Sequence, residues 1–161
     1  MALDDTVGGA NANAYVDVVF ADDYFTNHVL GSAWATSAVK PESLIHATRM
    51  LDSLMDWEGE AQTTTQALDW PRVLQTGEYD GIIPDDLEWA TCELALHLIT
   101  EGSTVTDDSL SSIKAGSITL KFNDNRPTVV LPHLVSSMLS SIGTMKQGFG
   151  GQIDTPTLLR V

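Results

Sequence analysis

Apolar residues recur at helical spacing in four stretches of this chain and alternate at strand spacing in one. Ala21, Tyr24, Phe25, His28 and Val29 share a face over 18–29, with Asp17 placed to cap that helix and Gly31 placed to stop it. Leu44, Ala47, Thr48, Leu51, Leu54 and Met55 form a broad stripe over 41–57. Pro41 suits a first helical position, and Glu42 faces the positive end of the dipole. A third helix over 84–100 repeats this start with Pro84, Asp85 and Asp86, and lines one face with Leu87, Ala90, Leu94, Ala95 and Leu98. A fourth, over 132–142, begins at Pro132 and carries Leu134, Val135, Met138 and Ile142. Ile118, Leu120 and Phe122 alternate with Thr119 and Lys121, which predicts a strand over 117–122. Ile113 belongs to a candidate partner strand across an Ala115-Gly116 turn.

Between these elements lie an irregular lead-in rich in glycine and asparagine (residues 1–13) and a long connection over 58–83. A connection of that length needs side chains of its own to pack, and Leu68, Trp70, Val73 and Leu74 are available. Residues 143–161 contain four glycines and no apolar period. The pattern predicts a mainly α fold: a helical domain over 1–142 with about four helices and a short β element, then a flexible, extended C-terminal tail over 143–161. Leu158, Leu159, Arg160 and Val161 at the end of that tail are candidate partner-binding residues, three apolar anchors and one guanidinium.

Charge sharpens this picture. The 161 residues hold 22 acidic and 8 basic side chains, a formal net charge of −14. Residues 1–108 carry 20 acids and only Lys40, Arg49 and Arg72, a net −17. Residues 109–161 carry Asp124 and Asp154 against Lys114, Lys121, Arg126, Lys146 and Arg160, a net +3. A basic end can dock on an acidic neighbour, or the imbalance can serve solubility alone. Tight nucleic-acid binding needs several phosphate contacts from Lys and Arg, and the acidic body cannot supply them. No apolar run approaches the length of a membrane span.

Chemistry-bearing residues are scattered. His28, His46, His97 and His133 lie in four different segments without metal-ligand spacing, and Cys92, the one cysteine, lacks a basic neighbour that would activate it. The pairs Asp22-Asp23 and Asp85-Asp86 point in different directions on a helix and make no shared-proton dyad. Gly148-Phe149-Gly150-Gly151 lacks the lysine and the following helix of a phosphate loop. No catalytic, metal or cofactor-binding residue is assigned, and no enzyme activity is expected. Trp57 and Trp70 could stack bases, but Asp56, Glu58 and Asp69 beside them repel phosphate, so both are read as anchors of the long loop. Trp34 and Trp89 fit either core or subunit interface.

Three segments in order carry a resemblance: Ala12-Asn13-Ala14-Tyr15-Val16-Asp17 leading into Ala21-Asp22-Asp23-Tyr24-Phe25; Leu44-Ile45-His46-Ala47-Thr48-Arg49-Met50-Leu51-Asp52; and Leu68-Asp69-Trp70-Pro71-Arg72 followed by Ile83-Pro84. Together they resemble a family of small tailed-bacteriophage proteins encoded among head and head–tail joining genes, over about residues 11–122. Some members are called DnaT-like single-stranded DNA-binding proteins, and others look like head–tail adaptors. The adaptor likeness implies a structural connector subunit of the virion, made in the cytoplasm of the bacterial host. It would form a homo-oligomeric ring, usually of twelve copies, at the head–tail junction. Its partners would be the portal protein and tail, stopper or nozzle proteins, and DNA would pass through without specific binding. The alternative is a DnaT-like replication protein that binds single-stranded DNA. The acidic balance favours the connector at this stage.

Overall fold

In a computed structural model, the protein is described over residues 2–74, 81–101, 112–115, 118–121 and 131–146, the hairpin within 112–121 by its backbone alone. The fold is mainly α with short β elements, as the apolar pattern predicts. Its helices are α1 (Val18–Tyr24), α2 (Gly31–Thr36), α3 (Lys40–Leu54), α4 (Asp85–Glu101) and α5 (His133–Met138). Short 3-10 turns at Phe25–Asn27 and Leu139–Ser141 extend α1 and α5. The strands are β1 (Met55–Trp57), β2 (Glu60–Ala61), β3 (Arg72–Val73), β4 (Ser112–Ala115), β5 (Ile118–Lys121) and β6 (Gly143–Met145), joined as three antiparallel pairs, β1–β6, β2–β3 and β4–β5.

The two long helices form the frame. The apolar stripe of α3 is buried as Leu44, Ala47, Leu51 and Leu54, and it packs against Leu87, Ala90, Leu94 and Ala95 of α4. α4 also buries Cys92 and Leu96, because α2 and α5 pack on its remaining sides. Each leucine buried in this way contributes about 1.5–3 kcal/mol. Two hydroxyls lie in this apolar interior, and both are satisfied. Thr91 donates to the Leu87 carbonyl at 2.7 Å, and Thr48 accepts the Tyr15 N–H at 3.2 Å.

Local differences from the sequence pattern have identifiable causes. The helix expected over 18–29 ends at Tyr24, with Asp17 capping it by accepting the Phe20 N–H at 2.7 Å. His28 lies outside that helix, where its Nδ1 accepts the Leu30 N–H at 3.2 Å. Gly31 opens α2 instead of closing α1, since a Cβ there would collide with the Phe25 carbonyl. α2 carries Trp34 into the core against Phe25 (ring centroids 4.8 Å apart), and the Trp34 indole donates to Asp22 at 2.7 Å. Trp34 is therefore a core residue, whereas Trp89 is 40% exposed.

α3 stops at Leu54, three residues earlier than its pattern predicts, because Met55–Trp57 pairs with Gly143–Met145. Bonds from Glu58 N to Ile142 O (3.0 Å) and from Lys146 N to Leu54 O (2.8 Å) close both ends of this ribbon. The tail expected from residue 143 thus does not begin there. Gly143 packs where a Cβ would lie 2.9 Å from the Trp57 ring. Residues 147–161, including Leu158, Leu159, Arg160 and Val161, lie outside the described residues. Pro132 stands just before α5 and Pro84 just before α4, where its carbonyl accepts the Leu87 N–H at 2.9 Å. The strand expected over 117–122 is β5, and Ile113 lies in its partner β4; Gly116 and Phe122 lie outside the described residues.

The connection after β1 is held by its own polar network. Thr63 and Gln66 exchange backbone-to-side-chain bonds of 2.9 and 3.2 Å, Gln66 Nε2 donates to Leu68 O and Pro71 O, and Arg72 donates to Glu58 O, Gly59 O and Asp69 O. Trp70, 1% exposed, sits edge-on to Trp57 with ring centroids 6.0 Å apart. Trp70→Ala should therefore cost about 3–5 kcal/mol. Urea unfolding midpoints of the two proteins measure this, and an unchanged midpoint would contradict the packing role.

Candidate functional site

The lead-in of the chain is a folded wall. Asn13 organises it: its Oδ1 accepts the Asp4 N–H at 2.9 Å, its Nδ2 donates to Ala2 O at 2.8 Å, and its backbone N–H reaches Asp4 O at 2.8 Å. Ala67 N donates to Gly9 O at 3.1 Å, which ties the long connection to this wall. Between the wall, the second half of α3 and Ala67–Asp69 runs an open groove of about 760 Å³. Asn11, Arg49, Asp52, Ser53, Asp69 and Lys146 supply its polar lining.

Helical spacing puts Arg49, Asp52 and Ser53 on one side of α3. Arg49 and Asp52 nevertheless form no ion pair. The Asp52 carboxylate turns inward, where it accepts a short hydrogen bond from the Tyr15 hydroxyl and the Asp69 N–H at 3.4 Å. The Trp57 indole N–H lies close enough to favour the ionised carboxylate without making a full hydrogen bond. Burial dominates and pushes Asp52 up to about 6; the Asp69 charge adds to the rise, while the bonds from Tyr15 and Asp69 oppose it. Burial, then the Asp52 charge, raises the Tyr15 phenol well above its ordinary value. Lys146 Nζ donates to the carbonyls of Asp52 (2.8 Å) and Ser53 (3.2 Å), at the C-terminal end of α3 where a cation is favoured.

The other cations divide into engaged and grouped. Lys40 is bound to Asp22 at 2.7 Å, with its ammonium 5.5 Å from the Trp34 ring centroid, and Arg72 holds the loop carbonyls. Arg49 is exposed and has no hydrogen-bond or ion-pair partner among the described residues. In the β4–β5 hairpin the register sets Ser112 opposite Lys121 and Lys114 opposite Thr119. Strand alternation places these four on one face and Ile113, Ala115, Ile118 and Leu120 on the other.

Other candidate chemistry is structural. Trp57 and Trp70 are buried against each other, so neither ring offers a face to a base. His28 Nε2 lies 3.2 Å from Glu93, which also accepts from the Tyr24 hydroxyl at 2.8 Å. Burial pushes the Cys92 thiol up to about 12, far from a reactive thiolate, and pushes Glu88 up to about 7 with help from Asp85. Among the described residues no cluster of His, Cys, Asp and Glu has the makings of a metal site, and no helix is long and apolar enough to cross a membrane. Sequence reasoning missed the groove. Arg49 and Lys146 lie in segments far apart in the chain, and only the β1–β6 pairing brings them to one surface.

Fold and groove define a small, mainly helical protein with an acidic body, in which Arg49 and Lys146 line one groove and Lys114 and Lys121 fall on one face of a hairpin. Residues 1–155 match the family described as "Putative DnaT-like ssDNA binding protein", and the chain belongs to that family. No curated protein and no solved structure matches the chain. The family assignment corrects the expectation of a virion head–tail connector with portal and tail partners, a ring, and DNA passing unbound; it agrees with the DnaT-like alternative. The three motifs pointed to the family, whose DnaT-like members they resemble, and did not separate those members from adaptors. Ala14 and Tyr15, Leu44 and Leu51, and Trp70 are core residues, so those motifs report a fold and carry no information about partners.

The raised Asp52 carboxyl gives a stability prediction. The folded chain keeps this proton up to about pH 6, whereas an unfolded chain releases it near pH 4. The stability it contributes is complete below about pH 4 and lost as pH rises through about 6. Asn at this position keeps an acceptor for the Tyr15 hydroxyl without the buried charge. Asp52→Asn should raise the thermal midpoint at pH 8 by several degrees, corresponding to roughly 2–3 kcal/mol at most. The difference should vanish towards pH 4, and equal midpoints at both pH values would refute the buried-charge account.

Proposed function

We propose that this chain is a single-stranded DNA-binding protein that acts without catalysis, and that the Lys114/Lys121 face of the β4–β5 hairpin contacts the phosphate backbone. Membership of the DnaT-like family over residues 1–155 carries this reading. The charge distribution supports it, since a net −17 over residues 1–108 and +3 over 109–161 leave one end of the sequence attractive to phosphate.

The mode of binding follows from what is buried. Sequence-tolerant binders gain about 1–3 kcal/mol per base from stacking on aromatic rings. Trp34, Trp57 and Trp70 are buried, and half-exposed Trp89 sits among Asp85, Asp86 and Glu88. Binding should therefore be mainly electrostatic, indifferent to sequence and sensitive to salt. The five cations in residues 109–161 should contribute no more than about 3.5 to the magnitude of the slope of log affinity against log salt.

Fluorescence anisotropy with a labelled thymidine oligonucleotide of about 20 nucleotides tests this from ~20 to ~200 mM salt. The double variant Lys114→Glu/Lys121→Glu should weaken binding at least tenfold and flatten the salt slope by about 1.4. Absence of binding by the natural protein at the lowest salt would overturn the function. Undiminished binding by the double variant would move the contact elsewhere.

A further inference from the structure

The groove beside α3 has a feature that its role in packing does not explain. Arg49 stands one helical turn from Asp52, a spacing at which opposite charges ordinarily pair. Asp52 instead turns its oxygens to the Tyr15 hydroxyl and the Asp69 N–H, and Arg49 is left exposed on the rim. Lys146, tethered to the carbonyls of residues 52 and 53, fixes a second positive charge at the same opening. The exposed Asn11 amide lies on the facing wall. An open groove of about 760 Å³ with an exposed guanidinium and an anchored ammonium suits a phosphodiester, which a guanidinium grips through paired N–H donors.

We infer that this groove is a second contact for the single strand, in which Arg49 and Lys146 hold phosphate and Asp52, at its floor, weakens that hold whenever it is ionised. The inference rests on the single-stranded DNA reading above and adds to it a site and its regulation. The groups facing Asp52 are Tyr15 from the lead-in, Asp69 from the connection and Trp57 from β1. Arg49 of its own helix and Lys146 after β6 line the same groove. Of these, Asp52 changes charge between pH 8 and 5, because burial has moved its carboxyl up to about 6. Proton uptake there removes one negative charge from beside the phosphate, so acid should strengthen the groove contact.

Oligonucleotide binding is measured by anisotropy from pH 8 to pH 5 at ~50 mM salt, for the natural protein, Arg49→Ala and Asp52→Asn. Arg49→Ala should weaken binding at every pH and flatten the salt slope by about 0.7. Asp52→Asn should bind roughly threefold more tightly than the natural protein at pH 8, the effect of one unit charge about 6 Å from a phosphate in water. That advantage should disappear by pH 5. Any charging of the histidines is common to both proteins and cancels in their ratio. If Asp52→Asn fails to fold, Asp69→Asn, which removes the second carboxylate of the groove, should give a similar gain at pH 8. Arg49 is exposed and makes no bond among the described residues, so its variant decides the site by itself. Binding by the natural protein with unchanged affinity in all these variants at every pH would overturn the groove while leaving the function standing. No binding by the natural protein at any pH would remove the function itself, and the inference with it.

Discussion

The contact between α3 and α4 is the one on which the other elements depend. Leu44, Leu51, Leu87 and Leu94 are wholly excluded from water across it, and α1, α2, α5 and β1 lie against this pair. α2 and α5, of six residues each, are too short to persist alone in water. They hold because α4 presents apolar surface on several sides and because Trp34, Val135 and Leu139 reach into the same core. The three two-stranded ribbons are below the size that is independently stable, and β1–β6 survives by closing over the end of α3.

Against that apolar frame, Asp52 is a costly polar group. It joins the lead-in, through the Tyr15 hydroxyl, to the long connection, through the Asp69 N–H, and lies beside the Trp57 indole. Its ionised form is disfavoured by burial, and the same burial brings its titration towards the neutral range. Arg49 next to it is exposed and has no partner among the described residues. Structural tether and regulatory charge are two consequences of one buried carboxylate.

Charge segregation connects this site to the proposed function. A uniformly acidic protein would repel a nucleic acid from all sides. Here Lys40 and Arg72 hold the fold, Lys146 is tethered to the end of α3 in the groove that Arg49 also lines, and Lys114 and Lys121 share a hairpin face. Under the proposed function, an acidic body would direct a strand to these two places and make its hold responsive to salt and pH.

Hydrophobic periodicity by itself determined that the protein is mainly helical, where its two long helices run, that a hairpin includes Ile113 and Ile118, and that Trp70 has apolar neighbours at hand. These are local matters, because a 3.6-residue or two-residue apolar repeat shows in a single segment. Tertiary structure alone decided the rest. Met55–Trp57 leaves the helical stripe and residues 143–145 leave the expected tail only because each finds the other, a pairing across some ninety residues with no signature in either segment. Gly31 starts a helix because the Phe25 carbonyl occupies the space of a side chain. The inward turn of Asp52, the free Arg49 and the meeting of Arg49 with Lys146 depend on which surfaces close together, since burial and through-space charge are properties of the folded chain and not of sequence neighbours.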